Sequence, residues 1–455
     1  MIRTTIASAA ALLLAASPAT AQDAQERLDA RYDRALAAGY KALMLCSAIG
    51  HARDNGIFRG PRSVAEYELA GIQSPFDEII ADLPAEIVGF PQSTRVQHVL
   101  VEWADDMPPR LAHNRWGSGC ALAPIGYDKV PEARERIPAP PPIVRVITPQ
   151  TDGMKSVFDR GFGTGFGEGS RTTAIVVQQG NQIVAEAYAN GFTPLTPQRT
   201  WSVAKSIAAT LVGVAVYRGE ADVAASAGLG DNEDDPRRAI TIDQTLRMAS
   251  GRYSDTPGNR TDALYWGGAT VTEVAQTTPL INVPGTVFRY ANNDILAAVQ
   301  AIDLSAEGNS PSSLFRQLNM RDTVAETDWE GNYILSSQVW STARDLARLG
   351  QLHLDGGVLP SGERILPEGW TDYVSSPAGP QPEGRPFGYG AGWWLLNASE
   401  GVPPDTYAAM GNRGQFVVVV PSRDVVIVRR GEDPAGQGGF DIAAFTRDVL
   451  AALED

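Results

Sequence analysis

Residues 200–207 read Thr200-Trp201-Ser202-Val203-Ala204-Lys205-Ser206-Ile207, and they open an apolar segment that runs on to Tyr217. Hydrophobic residues occur on every side of this segment, and a helix that is hydrophobic all round belongs in a protein core. Two prolines, Pro194 and Pro197, end earlier regular structure, and serine is a favoured residue at a helix N-terminus. The sequence therefore predicts a buried central helix that begins at Ser202.

Ser202 and Lys205 are three residues apart, which places both side chains on one face of the predicted helix. A serine hydroxyl is a weak nucleophile and needs an adjacent base. A lysine can be that base if burial and the positive helix terminus lower its pKa towards neutrality. The same terminus directs backbone N–H groups to where an oxyanion would form. This pattern indicates a nucleophile and its base.

Lysine is rare in this chain, which has 38 Lys and Arg residues but only four lysines, namely Lys41, Lys129, Lys155 and Lys205. Arginine does not release its proton in a protein, so it cannot replace lysine as a base. The alternative interpretation of Lys205 is a side chain that extends from the helix end to solvent. A Ser-x-x-Lys string alone does not decide between the two, because it also arises by chance.

Residues 1–21 have the pattern of a secretory signal peptide. Arg3 lies in a short basic end, Ile6–Ala16 is apolar, and Ala19-Thr20-Ala21 is a small-residue cleavage site. The pattern predicts an exported protein, periplasmic or secreted, and no other run is long and apolar enough to span a bilayer. The net charge of −15 argues against nucleic acid and anionic membranes as partners.

The roughly 430 residues that remain suggest two or three domains. We expect an accessory region at 22–130, mostly helical, with a long helix over Asp23–Ile49 and one or two strands between 95 and 122. It contains the two cysteines, Cys46 and Cys120, and in an oxidising compartment these are expected to form a disulfide that stabilises the region by about 3–4 kcal/mol. The Pro-rich stretch 131–150 is the predicted linker, and 151–455 the hydrolase domain.

The pattern after the linker predicts an α+β fold with a mainly antiparallel sheet. Thr172–Gln178 and Gln182–Ala189 are predicted to form a β-hairpin that turns at Gly180, and the central helix follows. The block over 221–375 is predicted to be mostly helical and loop-rich. Three strands and a helix capped by Asp441 end the chain; the strands are predicted over Ala391–Leu396, Gln415–Val420 and Val425–Arg429. One sheet built from both ends of the domain, with flanking helices and an inserted helical subdomain, accounts for this order.

The sequence lacks the residues that a Ser-His-Asp triad or a catalytic metal site would need. The four histidines are His51, His98, His113 and His353, and only His353 follows the linker, in an apolar helix where a packing role is expected. The chain has no G-x-S-x-G motif, so a Ser-His-Asp triad is not supported. Histidines, cysteines and carboxylates do not show ligand spacing, and we predict neither a metal site nor a cofactor.

Two further motifs follow the Ser-x-x-Lys helix. Tyr290-Ala291-Asn292 offers a phenol that could relay a proton and an amide, Asn292, that could bind a substrate carbonyl and N–H. Its alternative interpretation is a helix N-cap. Met410-Gly411-Asn412-Arg413-Gly414-Gln415 opens an apolar strand, and glycine at a strand entry permits close approach of a ligand. An ordinary turn is the alternative there.

Taken in this order, the three motifs resemble the serine β-lactamase-like superfamily, which comprises class C β-lactamases, serine penicillin-binding proteins and related esterases. Residues 155–455 are most similar to 6-aminohexanoate-dimer hydrolases and comparable amidases or esterases. The supporting stretches are Leu246-Arg247-Met248-Ala249-Ser250-Gly251, Pro284-Gly285-Thr286-Val287-Phe288, Ser341-Thr342-Ala343-Arg344-Asp345-Leu346-Ala347 and Tyr389-Gly390-Ala391-Gly392-Trp393-Trp394.

The resemblance implies a role for each motif. Ser202 would be acylated, Lys205 would be its base, and Tyr290 would shuttle the proton. The backbone N–H groups of Ser202 and Asn412 would hold the oxyanion beside Gly411.

One departure matters, because Ala409-Met410-Gly411 replaces the family's Lys-Thr-Gly or His-x-Gly. The cation that grips a substrate carboxylate is then missing unless Arg413 supplies it. An uncharged small ester or amide is therefore the expected substrate. The alternatives are a β-lactamase or D-amino-acid peptidase, and a non-catalytic binding protein on the same scaffold.

Overall fold

The structure, a computed structural model, describes residues 18–91, 93–115, 117–132, 144–254, 263–305, 308–435 and 439–454. Most of the predicted signal peptide and the centre of the predicted linker lie outside these residues, so both remain predictions. Within the described ranges, the structure contains no helix that could cross a membrane.

The N-terminal region combines a long helix with a small antiparallel sheet. Its elements are α1 Pro18–Asp54, α2 Pro61–Glu66, α3 Phe76–Asp82, β1 Ala85–Gly89, β2 Val96–Val101, β3 Arg110–Arg115 and β4 Gly119–Leu122. The strands pair in the order β1-β2-β3-β4, so this region has more strand than the one or two segments we expected. The predicted Cys46–Cys120 disulfide is confirmed, and it joins α1 to β4.

The rest of the described chain contains nine further helices and ten strands. The helices are α4 Asp152–Phe162, α5 Val203–Tyr217, α6 Ile242–Leu246, α7 Val271–Gln276, α8 Asn292–Gln300, α9 Pro311–Gln317, α10 Ala343–Leu354, α11 Trp370–Ser375 and α12 Ile442–Ala452. The strands are β5 Thr172–Gln179, β6 Gln182–Tyr188, β7 Gln198–Arg199, β8 Val324–Ala325, β9 Val339–Ser341, β10 Gly388–Tyr389, β11 Trp394–Leu395, β12 Tyr407–Gly411, β13 Gln415–Val420 and β14 Val425–Gly431. Short helices of other types lie at Pro236–Ala239, Ala263–Gly267 and Pro421–Arg423.

The main sheet has seven strands in the order β10-β11-β12-β13-β14-β5-β6, all antiparallel. Strands from before and after the helical block are therefore neighbours, which confirms the predicted sheet built from both ends. The β5–β6 hairpin is also confirmed, and Gly180 in its turn has φ +54°, a value that glycine adopts at little cost. A second sheet joins β7, β9 and β8.

Both faces of the main sheet are covered by helices. Side chains such as Val418 and Ile427 pack with α4 and α12, whereas their neighbours Val417 and Val428 pack with α5. Successive side chains on a strand point to opposite faces, so a strand buried on both faces is apolar throughout. This explains the runs over 415–420 and 425–429. Asp441 caps α12 as predicted, accepting from Ala444 N.

The strand predicted over Ala391–Leu396 is mostly wrong. Only Trp394 and Leu395 are in β11, because the preceding residues turn sharply between β10 and β11. Gly390 N donates to Trp393 O, and Gly392 has φ +76°. An added Cβ on Gly392 would lie 2.7 Å from Ala209 Cβ, so the turn packs closely on α5.

The N-terminal region shares a core with the hydrolase part. Trp201, Trp266 and Trp340 are buried among side chains from α1, α3 and the small sheet. Tyr40 of α1 stacks on Trp266 with ring centroids 4.2 Å apart. The region therefore covers apolar surface directly beside Ser202, which follows Trp201 in the chain.

Acid should destabilise the fold through His353, which α10 packs against the central helix. His353 is buried, and its Nε2 lies 3.0 Å from Thr210 Oγ1 of α5. The Thr210 hydroxyl donates to Ser206 O, so His353 Nε2–H donates to Thr210. Burial lowers the pKa of His353 to about 3. Its neutral form stabilises the fold above pH 6.5, and this contribution is lost as the pH falls towards 3.

His353→Gln keeps an N–H donor but does not titrate. We compare the free energies of unfolding of the wild type and the variant. The value for the wild type minus that for the variant should decrease by about 3 kcal/mol as the pH is lowered from 7 to 4. Urea unfolding of both proteins at several pH values measures the difference and cancels the other titrating groups. A difference that is independent of pH would contradict this account.

Candidate active site

Ser202 stands at a strained turn between β7 and α5. Trp201 has φ +50°, an unusual value for a residue other than glycine, and its ring lies 3.6 Å from the Arg199 guanidinium. The turn directs Trp201 into the core shared with the N-terminal region. Ser202 is the N-cap residue of α5, as predicted, but its side chain makes no capping hydrogen bond. Its hydroxyl is instead directed towards Lys205.

Lys205 is buried, with 1% of its surface exposed, so the alternative of a side chain that extends to solvent is excluded. Its Nζ lies 3.0 Å from Ser202 Oγ. It also donates to Asn292 Oδ1 at 2.6 Å and to the Ser336 carbonyl oxygen at 2.9 Å. The amine therefore touches the serine and two oxygens that can only accept hydrogen bonds.

Two of these contacts have a fixed direction, because the Asn292 and Ser336 oxygens can only accept from the amine. The contact with Ser202 fits both protonation states: an ammonium donates to the hydroxyl oxygen, whereas a neutral amine can accept the hydroxyl proton on its lone pair. The arrangement thus places a proton acceptor within hydrogen-bond distance of the serine, as general base catalysis requires.

Tyr290 completes the group around Ser202. Its side chain hydrogen-bonds with Ser202 and with the indole N–H of Trp394, and its ring centre lies 4.9 Å from Lys205 Nζ. Tyr290 is partly exposed. The protein around its phenol nevertheless desolvates it, and this raises the pKa of Tyr290 to about 12. Tyr290 is therefore protonated at neutral pH, which favours Lys205 as the base and Tyr290 as a proton donor.

Two of the stretches that carry the resemblance hold Tyr290 in place. Arg289 N donates to Met248 O, and Gly285 N donates to Ala249 O. On the other side of the tyrosine, Asp294 in α8 accepts from Ser250 Oγ at 2.6 Å. Burial raises the pKa of Asp294, and the Arg252 guanidinium at 3.0 Å opposes this shift.

Gly411, at the end of β12, lies directly against the turn between β7 and α5 that carries Ser202. An added Cβ there would lie 2.4 Å from the Thr200 carbonyl oxygen and 3.1 Å from Ser202 N. Only glycine allows this approach, which brings the turn at Asn412 beside the start of α5. Asn412 is exposed, and its side-chain oxygen accepts from Arg413 N. The use of its backbone N–H in an oxyanion hole remains a prediction.

Arg413, the candidate for binding a substrate carboxylate, lies in the protein interior. Arg413 has φ +58° and is buried, and its Nε lies 3.0 Å from a carboxylate oxygen of Glu432. Its Nη2 donates to the carbonyl oxygens of Tyr67 and Ala70 at 2.7 Å. The guanidinium therefore fastens the β12–β13 turn to the N-terminal region. Desolvation still raises the pKa of Glu432 to about 7, against the effect of Arg413.

Asn292 contacts Lys205, and its contact with a substrate stays a prediction. Its side chain is buried and accepts from Lys205, so it positions the amine. It is the first residue of α8, whose N-cap is Ala291, so the alternative interpretation as a capping asparagine is not supported.

Two contacts of the site were not predicted from the sequence. The Ser336 contact is made by a backbone carbonyl, which every residue carries. The partner of Tyr290 is Trp394, whose ring centroid lies 5.3 Å from that of the tyrosine. Among the described residues, no three His, Cys, Asp or Glu side chains are grouped so that they could hold a metal ion.

Comparison with known proteins agrees with this geometry. The family model described as "Beta-lactamase" matches residues 158–430. A relative, the 6-aminohexanoate-dimer hydrolase of Paenarthrobacter ureafaciens, is 28% identical over an alignment of 354 positions that covers 70% of this chain and 85% of the relative.

Solved structures show the same fold. A Bacillus anthracis protein assigned by name to the 6-aminohexanoate-dimer hydrolases aligns with a TM-score of 0.53 and 22% identity, over 66% of this chain and 82% of that one. A Bacteroides dorei protein assigned by name to the beta-lactamases aligns with a TM-score of 0.53 and 18% identity, over 68% of this chain and all of that one (100%).

These findings identify the class of the protein, which is a serine hydrolase of the α+β transpeptidase-like fold. Its family follows from the match over residues 158–430, which is more than half of the chain. The chain belongs to the beta-lactamase family.

Proposed function

We propose that this protein is an exported amidase or esterase that acts through an acyl-enzyme on Ser202. The convergence of the Lys205 amine and the Tyr290 phenol on one serine hydroxyl carries the proposal. A non-catalytic binding protein would not need a buried amine at this position, because burying it costs free energy.

In the acylation step, Ser202 Oγ attacks the substrate carbonyl and its proton passes to Lys205 Nζ. The backbone N–H groups of Ser202 and Asn412 hold the carbonyl oxygen as it becomes negative. The Tyr290 phenol protonates the departing amine or alcohol and regains a proton from Lys205. Water then attacks the ester on Ser202 while Lys205 takes a proton from the water. The bond between the acyl carbon and Ser202 Oγ breaks, Lys205 returns that proton to Ser202 Oγ, and the acid product leaves.

An uncharged amide or ester is the substrate class that the site favours. Ala409-Met410-Gly411 supplies no cation, and Arg413 is held in the interior by Glu432. A substrate carboxylate would therefore lack the partner that the family's Lys-Thr-Gly or His-x-Gly supplies. The 6-aminohexanoate-dimer hydrolase relative supports an amide among small acylated or oligoamide compounds.

A fluorophosphonate probe tests the proposal directly, because it phosphonylates an activated serine. Mass spectrometry of the labelled protein should place the adduct on Ser202. A panel of p-nitrophenyl esters, linear amide dimers and nitrocefin then defines the substrate. We expect turnover of the uncharged esters or amides and little of nitrocefin. Efficient nitrocefin hydrolysis would favour the β-lactamase alternative, and the absence of both labelling and turnover would favour the binding protein.

Export is part of the proposal and has its own test. The pattern over residues 1–21 and the Cys46–Cys120 disulfide support an oxidising compartment. The intact mass of protein recovered from the periplasm or medium of a producing cell should correspond to a chain that begins at Gln22. A full-length chain retained in the cytoplasm would contradict export and leave the catalytic proposal unaffected.

A further inference from the structure

Glu326, the residue after β8, is a fully buried carboxylate that no part of the proposed chemistry uses. Five groups surround its two oxygens. They are Ser47 Oγ at 3.0 Å, His51 Nε2 at 2.8 Å, Cys120 N at 2.7 Å, Gln338 Nε2 at 2.7 Å and Trp340 Nε1 at 3.0 Å. A carboxylate is acceptor-only and has about four lone-pair sites, so these contacts occupy Glu326 on every side.

Three of the five groups belong to the N-terminal region. Ser47 and His51 lie on α1, and Cys120 lies in β4, joined to α1 by the disulfide with Cys46. Gly119 has φ +66°, and an added Cβ there would lie 2.7 Å from Glu326 Oε1. The N-terminal region is thus shaped to receive this one side chain of the hydrolase part.

The other contacts connect Glu326 to the catalytic amine. Glu326 N donates to Gln338 O at 2.9 Å, and Gln338 Nε2 donates back to the carboxylate. Gln338 N donates to Ile334 O, which closes the turn over residues 334–338. Ser336 lies within this turn, and its carbonyl oxygen accepts from Lys205 Nζ at 2.9 Å.

We propose that Glu326 is a positioning residue for Lys205, through which the N-terminal region holds the Ser336 carbonyl against the catalytic amine. This inference rests on the proposed function, since it assumes that Lys205 is the base. Glu326 does not touch the serine itself. It acts by holding the turn, and small displacements of a catalytic group reduce rates strongly.

Glu326→Gln tests the inference. The substitution replaces one carboxylate oxygen, which accepts hydrogen bonds, with an NH₂ group, which can only donate and would face the donors that now surround Glu326. We expect the turn to shift, kcat to fall about 10- to 100-fold, and KM to change by about twofold or less. Fluorophosphonate labelling of Ser202 should slow in parallel. Each rate is taken per folded molecule, at a temperature well below the unfolding transition of the variant.

Glu186→Gln is the matched control. Glu186 is also fully buried and accepts hydrogen bonds from Arg344, Tyr188 and the backbone of Ile147, but it lies in β6 and has no bond to the 334–338 turn. We expect this variant to lose stability and to keep its kcat. If Glu326→Gln also kept the wild-type kcat while losing stability, Glu326 would be structural and the inference overturned.

Should Glu326→Gln fail to fold, Gln338→Met decides the matter, because it removes only the donor between the turn and the carboxylate. A several-fold lower kcat with little change in KM supports the inference, and an unchanged kcat overturns it. The proposed function fails by a separate result, the absence of a fluorophosphonate adduct on Ser202 in the wild-type enzyme.

Discussion

Ser202→Ala is expected to lower kcat/KM by about 10⁴-fold or more while leaving the fold intact. Without the hydroxyl oxygen no acyl-enzyme can form, and the remaining donors only polarise the substrate. The Ser202 side chain makes no helix-capping bond, so alanine removes little that stabilises α5. Steady-state hydrolysis of the best substrate from the panel, with fluorophosphonate labelling beside it, measures the effect.

Ser206→Ala controls for a general effect of removing a serine from this helix. Ser206 lies one turn further along α5, and its hydroxyl donates to Gly392 O at 2.7 Å, away from Lys205 Nζ. We expect this variant to be less stable by about 1 kcal/mol and to retain most of its activity. Appreciable hydrolysis by Ser202→Ala, with labelling at another serine, would refute the assignment of the nucleophile.

The parts of this fold that the sequence predicted are those set by local pattern. The all-apolar helix after Ser202, the hairpin around Gly180 and the Asp441-capped helix each depend on residues close together in the chain. Ser202 and Lys205 belong to one helical turn, so their contact at 3.0 Å also follows from spacing alone. Tyr290 joins them from far along the chain, and only the resemblance to a family predicted that.

Sequence patterns predict less where long-range contacts decide the structure. Arg413 is the one cation near Gly411 in sequence, yet Glu432 and two carbonyl groups of the N-terminal region hold it in the interior. The mostly apolar run over 391–396 was predicted to be a strand, but close packing on α5 requires the turn at Gly392. Neither Glu432 nor α5 is a sequence neighbour of the residue that it constrains.

The N-terminal region is the clearest case of information that the sequence did not provide. Residues 22–130 contain no catalytic motif, and we expected an accessory region. In the structure this region buries Trp201, the residue before the nucleophile, and it surrounds Glu326, which is hydrogen-bonded directly to Gln338 of the 334–338 turn. A region without catalytic residues can still determine where catalytic atoms lie.

Lys205→Arg is expected to lower kcat/KM by about 10³-fold even though it preserves the charge. The proposed role needs a neutral amine, and a guanidinium does not deprotonate in the accessible pH range. Arginine is also larger, and the amine now sits in a buried site between the Ser202, Asn292 and Ser336 oxygens. The pH dependence of kcat/KM measures the effect, and we expect no recovery of the variant at high pH.

Lys155→Arg is the matched control. Lys155 is exposed, and in the described part of the chain its amine forms an ion pair with Asp152 at 2.9 Å. That exchange should leave kcat/KM unchanged. If arginine at 205 disturbs folding, Lys205→Ala offers a second test, since a small primary amine added to the buffer should restore part of its activity by occupying the vacated space. A Lys205→Arg enzyme with near wild-type activity would show that the buried amine is structural, and the base would then have to be sought elsewhere around Ser202.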